Sequence, residues 1–95
     1  MKSPVTTQGL DQWPPQIWAE IVSLVPADDE EDRAVLLRLL EIGFLPGEPV
    51  RVIARGLPGG DPLAVRVGHT TFALRRHEAS MIRVQAAAGS AGSAR

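Results

Sequence analysis

Cysteine and tyrosine are absent from the 95 residues, and aromatics reach only 4% of the chain. Without thiols there can be no disulfide framework, no thiolate metal site and no cysteine nucleophile, and the composition suits a reducing compartment. Net charge is nearly missing as well. A formal value of −1 does not draw the chain as a whole to a polyanion. No apolar run approaches the ~20 residues that cross a bilayer. The opening MKSPVTTQGLDQW holds a lysine but lacks the apolar stretch of a secretory signal. A cytoplasmic, single-domain protein is the expectation these absences support.

What is present is concentrated between Gly43 and Val84. Val50, Val52 and Ala54 alternate with Arg51, Ile53 and Arg55, and Leu63, Val65 and Val67 alternate with Ala64 and Arg66. Phe72 and Leu74 alternate with Thr71, Ala73 and Arg75, and a short run Ile82–Val84 closes the set. Period-two alternation of this length marks strands with one buried face. Upstream, Ile17–Val25 reads as another strand, with Ala19 and Ile21 on one face and an irregularity before Leu24. The fold expected is mainly β with one helix: a small barrel of five short strands, with the helix over one end.

That helix is the clearest single element. Asp28 and Glu31 stand in the spacing of an acidic capping box, and Asp29, Glu30 and Asp32 lie where the positive end of a helix dipole favours carboxylates. Leu36, Leu37 and Leu40 form one stripe, widened by Val35, Leu39 and Ile42. Gly43 suits a left-handed terminating residue with Phe44 folded back on Leu39, and Pro46 prevents resumption. The loop Gly56–Pro62 is a long hairpin connection. Gly68-His69 between Val67 and Thr70 has the form of a two-residue type II′ turn. Arg76–Ala79 reads as one tight helical turn. Residues 1–12 form a lead expected to be disordered, 13–84 the domain, and 85–95 a low-complexity tail expected to be disordered.

Catalytic constellations are not visible. Gly56, Gly59 and Gly60 lack the lysine and following helix that a phosphate loop needs. Ser80 and His77 share one short turn with no third member to make a nucleophile triad. Two histidines fall short of a built transition-metal site and point to no cofactor. His69, His77 and Glu78 remain as candidates for an adventitious divalent ion at a contact between molecules. Six arginines (Arg51, Arg55, Arg66, Arg75, Arg76 and Arg83) could line an RNA-binding face. The stacking aromatics such a face uses are missing, because Phe72 alternates in phase with the core. Charge is placed unevenly: the stretch from Asp28 to Glu48 is acidic and the stretch from Pro49 to Val84 is basic. Solvated faces account for this, as does a bipolar surface that orients a docking partner.

The succession L-x-x-L-L-x-x-G-F-x-P-G-x-x-V (Leu36 to Val50), then P-x-G-D-P (Pro58 to Pro62), then A-L-R-R-x-E-A (Ala73 to Ala79), then Ile82 and Val84, resembles the FeoA family of bacterial ferrous-iron transport accessory proteins. The resemblance runs from about Ile17 to Val84 and rests on the order and spacing of the pieces. It implies an SH3-like barrel in the cytoplasm that works with FeoB, the membrane ferrous-iron transporter, on its GTP-binding domain or its membrane core. Such a protein would be no enzyme and would meet the membrane only through FeoB. The same domain follows a helix-turn-helix in metal-dependent repressors, and the short stretch before Pro15 favours the free-standing form. The alternative is a small-barrel RNA-binding or metal-repressor-type interaction domain. Candidate partner-binding residues are Leu45 and Pro46 after the helix, Leu57 and Pro58 in the long hairpin loop, and Arg75 and Arg76.

Overall fold

A computed structural model describes residues 7–56 and 59–87. The chain runs β1 (Gln8–Gly9), a 3-10 turn (Leu10–Gln12), β2 (Ala19–Leu24), α1 (Glu30–Ile42), β3 (Pro49–Arg55), β4 (Leu63–Val67), β5 (Thr70–Leu74), α2 (Arg76–Ser80) and β6 (Ile82–Ala86). All pairings are antiparallel, in the order β1-β6-β2-β3-β4-β5. The expected small β fold with one main helix is present, with six strands in place of five and a sheet that does not close on itself.

The alternation read from sequence sets the buried face. Val50, Val52, Leu63, Val65, Val67 and Leu74 point into the core, where Ala19, Ile21, Ile82 and Val84 meet them. The irregularity expected before Leu24 is a register shift between Ile21 and Ser23 against β6. A second shift falls between Val52 and Ala54, where β3 has one residue more than β4. The carbonyls freed there are used. Gln16 donates its backbone N–H to the Val52 carbonyl at 2.8 Å and its side-chain amide to the Ile53 carbonyl at 2.7 Å. Gln16 reaches both from a left-handed backbone (φ 70°), an uncommon state for a residue with a side chain.

At α1 the N-cap is Asp29, whose carboxylate accepts the Asp32 N–H at 2.8 Å; the expected Asp28 stands one residue too early. The other end matches expectation. Gly43 sits at φ 122°, open only to glycine at low cost, the Phe44 N–H reaches the Leu39 carbonyl at 3.0 Å, and the Gly43 N–H reaches that of Leu40 at 3.2 Å. Phe44 is fully buried and meets Phe72 edge to face, ring centres 6.1 Å apart. The leucine stripe needs correction. Leu39 alone is buried, with Val35, Leu36 and Ile42 packed partly against the core, while Leu37 is 55% exposed. At ~100° per residue Leu37 lies roughly 200° around the helix from Leu39, so both cannot face inward.

The N-terminal lead also differs from expectation. From Gln8 it belongs to the sheet: Gln8 and Gly9 pair with Val84 and Arg83, and Leu10 is fully buried. Arg55 holds the segment by donating to the Asp11 and Trp13 carbonyls at 3.0 and 2.6 Å, and Arg83 donates to the Thr7 carbonyl at 2.8 Å. At the other end the sheet extends to Ala86, two residues past the expected boundary. Residues 1–6 and 88–95, where the rest of the lead and most of the tail fall, lie outside the described residues.

Replacing Leu10 by Ala removes a fully buried side chain and should destabilise the fold by about 2–5 kcal/mol in urea titrations. A change near zero would show that the segment before Trp13 is not part of the cooperative unit.

Candidate docking surface

The sheet and helices place the candidate residues in three groups. Leu45 and Pro46 stand at the tip of a tight turn between α1 and β3. The Glu48 N–H returns to the Leu45 carbonyl at 3.0 Å, and Gly47 takes φ 92°, the geometry of a type II turn with proline second and glycine third. The turn is fastened to β2: the Gly47 N–H reaches the Ile21 carbonyl at 2.7 Å, and the Ile21 N–H reaches the Glu48 carbonyl at 3.0 Å. Leu45 is 43% exposed and Pro46 is exposed, so the turn presents apolar surface on a rigid base. Leu57 and Pro58 lie outside the described residues.

Arg75 and Arg76 open α2. Glu78 Oε1 accepts the Arg75 N–H at 2.9 Å, and Asp61 Oδ1, from the long hairpin loop, accepts the Arg76 N–H at 3.0 Å. Both guanidinium groups are exposed, and among the described residues neither has a carboxylate partner.

The histidines and Glu78 diverge. His69 is exposed at the tip of the hairpin between β4 and β5. His77 Nε2 lies 2.9 Å from Asp32 Oδ1 on the first turn of α1, and Glu78 Oε2 lies 2.7 Å from Arg38 Nη2. These two pairs tie α2 to α1, a use that sequence could not show because the partners are 45 and 40 residues apart. Among the described residues no three histidine or acidic side chains converge as a metal site would require. The hydrogen bond that the His77 ring donates to the Asp32 carboxylate holds the His77 pKa above its ordinary value, helped by the charge of Asp32, opposed by burial, and helped further by the charges of Asp29 and Glu78.

The arginine stripe is divided. Arg55 and Arg83 are consumed in holding the N-terminal segment, and Arg38 in the pair with Glu78. Arg51 and Arg66 stand opposite each other on β3 and β4, and Arg51 lies over the Trp18 ring at 4.8 Å from its centre.

The model of the FeoA domain matches residues 10–86. The chain belongs to the FeoA family. A zinc complex of the FeoA of Stenotrophomonas maltophilia, described as a unique procaryotic SH3 domain protein, is 41% identical over 85% of this chain and 91% of its own, with a TM-score of 0.70. The FeoA of Chlorobium tepidum is 31% identical over 85% of this chain and 71% of its own, with a TM-score of 0.69. A manganese-dependent transcriptional repressor shares the fold alone: 19% identity over 90% of this chain and 44% of its own, TM-score 0.75. Among curated proteins no relative matches. FeoA proteins are accessory proteins of ferrous-iron transport and not a known enzyme family. No helix among the described residues is long and apolar enough to cross a membrane.

Because the folded pKa of His77 is raised, its pair with Asp32 contributes fully below the ordinary histidine range and is lost as pH climbs through the raised value. The melting temperature of wild type should therefore fall relative to His77→Gln between pH 5.5 and 8.5. The difference will be small because His77 is exposed and Asp32 only half-buried, so solvent screens the pair. Parallel pH profiles for the two proteins would show that the pair is absent in solution.

Proposed function

We propose that this protein is a cytoplasmic accessory factor of bacterial ferrous-iron uptake that acts by docking on the FeoB transporter and catalyses no reaction of its own. The FeoA match across residues 10–86 carries this reading. The S. maltophilia relative has itself been put forward as a ferrous iron transport activating factor. Two features of the surface support docking: the apolar Leu45-Pro46 turn, fixed to β2, and the exposed guanidinium groups of Arg75 and Arg76. An exposed leucine on a rigid base loses little entropy on burial, and exposed cations speed encounter with an acidic surface.

The test is capture of full-length FeoB, and separately of its isolated GTP-binding domain, with and without nucleotide. Leu45→Asp should weaken capture by about tenfold or more, the scale of a lost anchor residue. Arg75→Glu combined with Arg76→Glu should slow association and flatten its dependence on salt, since exposed charges are screened beyond ~8 Å at physiological ionic strength. Undiminished capture by both variants would remove these residues from the interface. No capture of either form of FeoB by wild type would overturn the reading.

A further inference from the structure

Among the described residues the outer edge of β5 has no partner strand. The two-residue turn Gly68-His69 makes Val67 and Thr70 a hydrogen-bonded pair, and the alternation of an antiparallel ladder then assigns the same bonding to Val65–Phe72 and Leu63–Leu74. The N–H and C=O groups of Thr71 and Ala73 therefore point away from β4. Among the described residues neither has a hydrogen-bond partner on that side. Two donors and two acceptors thus stand in a row at strand spacing, along an edge that ends the sheet.

The solvent-facing side of this edge has a definite chemistry. Arg66 stands directly opposite the small Thr71, and Ala64 opposite Ala73. On the other side of β4, Arg51 stands directly opposite Arg66. Like charges in that position destabilise a sheet, and among the described residues no carboxylate pairs with either. Arg75 follows the last residue of β5, and among the described residues its guanidinium group also has no carboxylate partner. Next to this basic row, Ala54, Ala64, Ala73 and Pro62 line a shallow, mostly apolar depression.

We propose that the β5 edge is the docking site for an extended, acidic segment of a partner protein, which adds to the sheet as a further strand. The inference rests on the docking reading above and names its surface and the chemistry of what it receives. The partner's main chain pairs with the N–H and C=O groups of Thr71 and Ala73, as in other cases of strand addition. Neighbouring strands lie ~4.8 Å apart. The Arg66 side chain, with only Thr71 in its way, can lean across β5 to a carboxylate on the added strand, and Arg75 can meet a second one near the strand's end.

The charges exclude the simplest alternative occupant. A second copy pairing its own β5 with this one would bring two sets of Arg66 and Arg75 together on one face. A nucleic acid could neutralise the arginines but has no backbone that matches the Thr71 and Ala73 groups. The only aromatic ring in this row, that of Trp18, is already covered by Arg51.

The experiment uses amide NMR of the whole chain titrated with a blocked heptapeptide alternating glutamate and valine. Shifts should centre on Thr71, Ala73 and Arg66, and a lysine–valine peptide should give none. Ala73→Pro removes a donor that faces solvent and leaves the β4 ladder its bonds, as proline on an edge strand can. That change and Arg66→Glu should each weaken peptide binding by about tenfold, one hydrogen-bonded or charged contact's worth. Should Ala73→Pro fail to fold, Arg66→Glu decides. Absence of shifts along β5, or equal binding of the lysine peptide, would overturn the proposal and leave the arginines as guards against aggregation. Tighter binding of an oligothymidylate at Arg51 and Arg66 would overturn it in favour of nucleic acid. Concentration-dependent shifts of β5 without peptide would overturn it in favour of a second copy. The FeoB capture assay separates this proposal from the one it rests on. Capture by wild type alongside no peptide binding would sink the edge and spare transporter docking. Peptide binding without FeoB capture would keep the edge and detach it from the transporter.

Discussion

The fold depends on a strand from the end of the domain being inserted between two from its beginning. β6 pairs with β1 on one side and β2 on the other, and its inward residues Ile82 and Val84 are fully buried. Without it, β1 has no neighbour, β2 keeps only its short pairing with β3, and the turn that carries Leu10 keeps only α2 of the two elements it packs on. The rest of the sheet is local by comparison: β3, β4 and β5 follow one another through hairpins. Folding must therefore close a loop of nearly the whole domain before its central contacts form, an entropic cost that short hairpins do not carry. The N-terminal segment is held by arginines for the same reason. Two residues of strand cannot fix themselves, and the guanidinium groups of Arg55 and Arg83 supply four hydrogen bonds or close contacts to residues before Pro14.

This use of arginine shapes the functional surface as much as the fold. Three of the basic residues in β3, β6 and α1 have structural employment, which leaves Arg33, Arg51, Arg66, Arg75 and Arg76 without a carboxylate partner among the described residues. The acids of the α1 first turn meet the helix dipole and hold one cap, and Asp32 pairs with His77. The two charged regions legible in the sequence are thus not simply two solvated faces. Part of each is spent on joining α1, α2 and the N-terminal segment to the sheet; the arginines left over, Arg33 apart, are gathered on β3, β4 and the start of α2, while Glu41 and Glu48 stay exposed at the end of α1 and before β3.

Much of the architecture could be read before any coordinates. The alternation through Val50 and Val52 and from Leu63 to Leu74, the Gly43-Phe44 termination, the turn at Gly68 and the irregularity before Leu24 each follow from local chemistry, and each stands where it was expected; Ala54, expected in phase with Val52, is turned outward by the register shift between them. What was misread lacked a local signal. Gln8-Gly9 is too short to show a period, and Leu10 is a single apolar residue among polar ones. A run of five acids offers several caps, and only the backbone path selects Asp29. Leu37 is leucine by composition and solvent-facing by geometry. At the surface, the Leu45-Pro46 turn was legible because proline and glycine fix its shape. The ties of Arg38 to Glu78 and His77 to Asp32 were not, since they join residues far apart in the chain. The free edge of β5 needs the strand order, which no single stretch of sequence contains.

The stacking of Arg51 on Trp18 gives the protein a built-in optical probe. Its other indole, Trp13, is almost wholly buried and donates its ring N–H to the Ile17 carbonyl at 2.9 Å, so its emission follows the integrity of the core. Trp18 is half-buried under a cation, and its emission follows the electrostatic state of the outer sheet. With no tyrosine to contribute background, unfolding and ligand arrival can be followed as two separate colours of intrinsic fluorescence in one cuvette.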